Sequence, residues 1–265
     1  MSDNQELSWT YSPTDPERVY LIESLGGFFE DQLIRDILYK VRVGKEASCY
    51  CCRAKSGDGL IAAKVYLPRK LRAMRNDWYY RIGGQMTTGG RGAAHSSRVQ
   101  RALKKHTRFG KRVENISWSS HEFELLTSLH ELGADVPKPL ASSDSAILME
   151  YFGDEVRGAP TLHMVSLDPA EAQPLFDRVI GNIILMLREY QIHADLSAHN
   201  ILYWDGDVRV IDLPQAVPAD RHPGAFELLA RDVDRVCQYF AKQHVKCDPI
   251  GIAVDLWQRF QEGGI

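Results

Sequence analysis

The sequence predicts an α+β chain, with strands crowded into its first half and helices dominating its second. Three observations carry this. Short β-rich runs bounded by turn residues fill residues 37–67, apolar residues recur at helical spacing from 119 onward, and one hairpin signal, Asp205-Gly206-Asp207, interrupts the helices. The 265 residues are 44% apolar and 25% charged, which suits one large domain or two small lobes and excludes a disordered, collagen-like or coiled-coil chain. The apolar stretch Val179–Leu187 is broken by Gly181 and Asn182 and falls far short of the ~18 apolar residues a membrane span needs. The polar, acidic N-terminus leads us to expect no secretory signal. Three of the five cysteines sit together at Cys49, Cys51 and Cys52, which fits a reducing compartment. A cytoplasmic protein without membrane contact is expected.

Residues 1–36 form an arm leading into a first helix. Ile37–Val43, Cys49–Ala54 and Leu60–Leu67 read as an antiparallel meander. The turn Ser56-Gly57-Asp58-Gly59 precedes the third strand, and Pro68, which cannot donate to a ladder, closes it. Residues 83–117 hold five glycines between Gly83 and Gly92 amid polar residues, and are expected to be a mobile insert with one basic helix at Ser97–His106. A helix from Ser119 to Leu132 places Phe123, Leu126, Leu129 and Leu132 on its core face, with Gly133 as a left-handed stop. Ala146–Phe152 reads as a buried strand. Asp168 and Pro169 cap a helix whose core stripe is Leu175, Val179, Ile183 and Leu187. Ile201–Trp204 and Val208–Ile211 pair as a hairpin, and Ala225–Gln243 and Pro249–Phe260 are the last helices. The division expected is 1–36, then 37–150, then 151–265.

Chemistry concentrates in His193-Ala194-Asp195-Leu196-Ser197-Ala198-His199-Asn200 and, after the hairpin, Ile211-Asp212. This is the kinase catalytic-loop pattern, His-x-Asp with Asn five residues after the Asp. Asp195 would lie beside an attacking hydroxyl, the Asn200 amide oxygen would reach a magnesium ion, and Asp212 would return to the metal that bridges phosphates. Oxygen ligands on one loop and one strand end suit a hard cation. Upstream, Lys64 sits in the apolar run Ile61-Ala62-Ala63-Lys64, where burial is costly unless it is paired. Gly44-Lys45-Glu46-Ala47-Ser48 is a turn suited to cover phosphates. Glu122 is the partner expected for Lys64, with Glu124 as its rival. Leu148-Met149-Glu150-Tyr151-Phe152 falls where a hinge would offer backbone groups to adenine.

These segments together resemble the RIO atypical serine/threonine protein kinases, the branch without an N-terminal winged helix, of bacterial or archaeal type. The resemblance covers about residues 37–245 and includes Ile211-Asp212-Leu213-Pro214-Gln215, Val136-Pro137-Lys138-Pro139 and His222-Pro223-Gly224-Ala225-Phe226. Ser197 is diagnostic, because ordinary protein kinases place a Lys there. The resemblance implies a bilobal protein-kinase-like fold, with an antiparallel-sheet N-lobe over 37–150 and a truncated, mainly helical C-lobe over 151–265. It implies ATP with Mg2+ or Mn2+, held by Gly44, Lys45, Ser48, Lys64, Glu122, Met149, Glu150 and Phe152, with Asn200 and Asp212 on the metal. Catalysis would rest on Asp195, Asp212 and Lys64. His199 and Pro214 depart from the family pattern, and neither change falls on a phosphate or metal contact. Fifty-three residues follow Asp212, with no Asp-Phe-Gly and no Ala-Pro-Glu, so the usual platform for peptide substrates is not expected.

Two activities fit one such site. One is transfer of the γ-phosphate to Ser or Thr of a protein, or of the chain itself. The other is an ATPase switch in ribosome assembly, through an aspartyl-phosphate on Asp212. A small-molecule kinase of the aminoglycoside or choline type shares the loop but not the Gly-Lys-Glu-Ala turn or the basic insert. Between Arg69 and Arg112, thirteen Lys and Arg face Asp77 alone, on a chain of net charge −3. Such a block fits a polyanion, with RNA or a pre-ribosomal particle the expected partner.

Overall fold

The structure, a computed structural model, describes residues 9–44, 46–66 and 108–265, with side chains from Ser119 onward in the helix that begins at Arg108. Lys45, most of the basic insert and the expected helix Ser97–His106 lie outside the described residues. The described chain divides into two units, one over 9–66, 108–120 and 139–158, the other over 121–138 and 159–265.

The first unit is built on α1 (Asp15–Glu30), β1 (Ile34–Val43), β2 (Ala47–Ala54), β3 (Leu60–Tyr66), β4 (Pro139–Ser142) and β5 (Ala146–Glu150). The strands form one antiparallel sheet in the order β1-β2-β3-β5-β4. The meander is present, and it is extended by β5 and by β4, a strand too short and too proline-bound to be read from its sequence. β5 ends at Glu150, two residues before the expected limit. Helix α1 lays Leu21, Leu25 and Phe28 on Ile37, Tyr50, Cys52, Ala63, Val65, Ala146 and Leu148. Its Glu17 accepts a hydrogen bond from the Tyr50 hydroxyl at 2.7 Å and pairs with Lys40. Burial pushes the Glu17 carboxyl up, but the bonds from Lys40, Tyr50 and Tyr11 outweigh it, and the group stays below its ordinary range.

The second unit holds the C-terminal part of α2 (Arg108–Glu131), then α3 (Pro169–Arg188), β6 (Gln191–Ile192), β7 (Ile201–Trp204), β8 (Asp207–Val210), β9 (Val217–Pro218), α4 (Ala225–Lys242) and α5 (Pro249–Gln261). Asp168 caps α3 with a complete capping box, answered by Glu171. Leu175, Val179, Ile183 and Leu187 are all buried, and Phe176 meets Phe240 of α4 edge-on at 5.3 Å. The hairpin β7–β8 turns on Asp205 and Gly206, both at positive φ, as a two-residue turn of the primed type requires.

Helix α2 corrects the expected core face. Its buried side chains from Ser119 onward are Ser119, Glu122, Leu125, Leu126 and Leu129, whereas Phe123 is half-buried and Leu132, just past the helix end, is 42% exposed. Strict three-residue spacing drifts around a helix of 3.6 residues per turn. Phe123 and Leu132, nine residues apart, come out about half a turn from each other and cannot share a face. Leu129→Ala is therefore expected to destabilise the protein by ~2–5 kcal/mol. Leu132→Ala should cost less than ~0.5 kcal/mol. Urea unfolding of both variants checks the assignment.

Candidate active site

The loop His193–Asn200 leaves β6 and is clamped from three sides. His193 is 2% exposed and sets its Nε2 3.1 Å from the carbonyl of Ile211, tying the start of the loop to the strand that returns. Ala194 adopts φ +62, a left-handed conformation that a residue with a Cβ rarely takes. It is held there by the Asp232 side chain on α4. Asp232 accepts the Ala194 N–H at 2.7 Å and the Leu196 N–H at 3.0 Å, and Arg231 donates to the Ala194 carbonyl. The peptide groups on both sides of Asp195 are thus fixed while its own carboxylate stays half-exposed, 2.8 Å from Arg235 Nη1.

Beyond it, Ser197 Oγ accepts the His199 N–H at 3.3 Å and opens a single 3-10 turn, Ala198–Asn200. The buried Asn200 donates from Nδ2 to the Asp195 carbonyl at 2.9 Å, which leaves its amide oxygen as the atom suited to a cation. The hairpin then brings the chain back. Ile211 donates its N–H to the Asn200 carbonyl at 3.0 Å, so Asp212 follows one residue from that contact, exposed and at φ +71. Glu122, 2% exposed, accepts the Leu213 N–H at 3.2 Å, while Glu124 is exposed. The loop, the hairpin end and α2 therefore gather Asp195, Asn200, Asp212 and Glu122 within the second unit.

The first unit carries the other expected residues. Antiparallel partners point to the same side of a sheet. Ser48 pairs with Val65, which packs under α1, so the 2%-exposed Ser48 lies on the α1 side. Lys64 pairs with Cys49 and Ile147, and Met149 with Ala62, all on the opposite side. The register thus separates Ser48 from Lys64 and joins Lys64 with Met149. Lys64 is 9% exposed, its Nζ 5.6 Å from the centre of the Tyr66 ring. Gly44 donates its N–H to Ala47 O at 2.9 Å, and a Cβ there would stand 2.8 Å from that oxygen, so the turn requires glycine. Glu150 is exposed at the end of β5, and Phe152 is half-buried beyond it.

Asp232 and Arg235 are the residues that sequence reasoning passed over. The signal was present. Asp232 lies four residues from both Leu228 and Val236, inside the buried stripe of α4, where an acid is costly without partners. Burial pushes its carboxyl up to about 6, against the pull of His193, Arg231 and the two N–H donors. Asp232→Asn offers one oxygen where two N–H groups need two, so it should cost ~1–3 kcal/mol in urea unfolding. Between pH ~4 and about 6 the folded chain holds a proton on Asp232 that the unfolded chain has released. The wild-type advantage over Asp232→Asn should therefore shrink as pH rises through that window and stay level above it.

A sequence model described as the RIO domain matches residues 90–250. The chain is 35% identical over 132 residues to the RIO-type serine/threonine-protein kinase Rio1 of Thermoplasma acidophilum, covering 50% of this chain and 68% of that one. It is 29% identical over 201 residues to the serine/threonine-protein kinase RIO1 of Caenorhabditis elegans, covering 76% of this chain. With serine/threonine-protein kinase rio1 of Dictyostelium discoideum it shares 30% over 210 residues, covering 77% of this chain. The aligned part spans 36% and 33% of the length of those two eukaryotic relatives. The sheet unit and the helical unit are the protein-kinase-like α+β architecture, and the chain belongs to the RIO domain family.

Proposed function

We propose that the chain is an ATP- and magnesium-dependent protein kinase that transfers the γ-phosphate to a serine or threonine hydroxyl. The observation that carries this is the loop in which Asp195 stands half-exposed between two clamped peptide groups, with Asn200 bonded to its carbonyl and Ile211, the residue before Asp212, bonded in turn to the Asn200 carbonyl. Phosphoryl transfer asks little covalent work of a protein and much positioning. Asp195 is the group that takes the acceptor hydroxyl's proton, and its fixed backbone means that little reorganisation is needed at that moment. The Asn200 amide oxygen and the Asp212 carboxylate are hard oxygen donors that fit Mg2+ or Mn2+, and such an ion, when bound, neutralises phosphate charge. Lys64 would meet the α- and β-phosphates, the turn at Gly44 would offer backbone N–H groups to them, and Met149, Glu150 and Phe152 would border adenine. Glu122, through the Leu213 N–H, steadies the segment that carries Asp212.

The exposed carboxylate of Asp212 supports one alternative. There its oxygen attacks the γ-phosphorus, ADP leaves, and water later hydrolyses the aspartyl-phosphate, so that the chain acts as an ATPase switch.

Labelled γ-phosphate separates the two. Label on Ser or Thr, stable to hydroxylamine, is the expected result. Label released by hydroxylamine or passed only to water overturns the kinase in favour of the switch. Asp195→Asn should lower transfer by ~10²–10⁴-fold with ATP binding nearly intact. Lys64→Ala should instead weaken productive ATP binding, seen as a raised KM for ATP.

The partner of the basic block Arg69–Arg112 is proposed to be RNA, on its charge alone. Changing Lys104, Lys105, Lys111 and Arg112 to Ala should weaken RNA binding and flatten its salt dependence, since each neutralised phosphate releases counterions. Titrations at two salt concentrations measure both.

A further inference from the structure

We propose that Arg235 is a positioning residue for Asp195, holding the carboxylate of the general base in one orientation from a helix forty residues away. This rests on the kinase reading above. The Nη1 of Arg235 lies 2.8 Å from Asp195 Oδ1. That bond occupies one carboxylate oxygen and stops rotation of the group, leaving Oδ2 as the oxygen available to a hydroxyl. Residues 193–200 of the loop contain no Lys or Arg. Helix α4 supplies the guanidinium. Asp232 and Arg235, three residues apart, share one face of that helix. Asp232 fixes the backbone on both sides of Asp195, and one turn later Arg235 fixes the side chain.

Exposure argues that the pair acts on position rather than stability. The Arg235 and Asp195 side chains are 38% and 50% exposed, and an ion pair open to water contributes little to folding. Asp195 is also the one hydrogen-bond partner of the Arg235 guanidinium among the described residues.

The test is a double-mutant cycle on the full chain, read as kcat, KM for ATP and thermal midpoint. Arg235→Gln keeps the stem and removes the charge. It should lower kcat by ~10- to 100-fold, as expected when a reacting group is displaced by about an ångström, with KM and the midpoint unchanged. Arg235→Lys should recover part of the loss, because an ammonium restores the charge but not the planar fork. In an Asp195→Asn background, Arg235→Gln should cost nothing further, since the group it positions is gone. Wild-type kcat in Arg235→Gln, with Asp195→Asn crippled, overturns this proposal alone. A loss that persists in full in the Asp195→Asn background, or that comes with a lowered midpoint and a raised KM, makes Arg235 structural and also overturns it. Wild-type turnover in Asp195→Asn overturns the kinase reading, and this proposal with it.

Discussion

The buried carboxylate of Asp232 is the constraint on which the second unit's chemistry depends. It receives two backbone N–H groups, from Ala194 and Leu196, and each would cost ~1–3 kcal/mol if left without an acceptor. It also holds Ala194 at positive φ, a strain of ~1–3 kcal/mol that a residue with a Cβ keeps only when its surroundings impose it. With those peptides fixed, Asp195 has one backbone path and points its side chain outward. The carbonyl of Asp195 is then in place to receive Asn200 Nδ2, which turns the rest of that amide to a definite side. One buried acid on a distant helix therefore sets the orientation of two polar side chains in the loop.

The hairpin is the second device. Its two-residue turn leaves no slack, so the end of β8 returns level with the start of β7. The bonds from Ile211 to Asn200 and from His193 to Ile211 stitch the return to the loop at two heights. Asp212 sits just past the last of these bonds, in a left-handed conformation that takes the chain off the line of the strand. Glu122 catches the next N–H, at Leu213, inside the protein. A residue expected from sequence to serve a lysine thus has a backbone role of its own, close in the chain to Asp212.

In the first unit the constraint is the two-sided burial of the central strands. Alternate residues of β3 belong to different environments. Ala63 and Val65 fill the core under α1, and Lys64 lies on the other side with its ammonium over the Tyr66 ring. A charged group that is 9% exposed would be expensive there unless compensated. The fold supplies a sheet secured on its α1 side by Leu21, Leu25, Phe28 and the Glu17 cluster, so the other side can carry polar function without loss of core.

The sequence alone determined the elements whose signal is local. The meander, the Asp168 cap, the stripe of α3 and the Asp205-Gly206 turn each follow from residues within a few positions of one another, and local physics sufficed for them. The spacing His193, Asp195, Asn200, Asp212 was legible for the same reason, since a loop and its hairpin are neighbours in the chain. Tertiary structure decided what depends on residues far apart. Whether Ser48 stands with Lys64 is set by the pairing of β2 with β3, and Ser48 falls on the α1 side because Val65 does. Which face of α2 is buried is set by what packs on it, and the 3.6-residue turn excluded the stripe that equal spacing suggested. Asp232 is separated from Ala194 and Leu196 by more than thirty residues, and Arg235 from Asp195 by forty. Nothing in a loop of eight residues says that a helix will bring it an anion for its backbone and a cation for its carboxylate. Only the packing of α4 against that loop puts them there, because buried polar groups take the partners the fold brings within reach rather than those nearest in sequence.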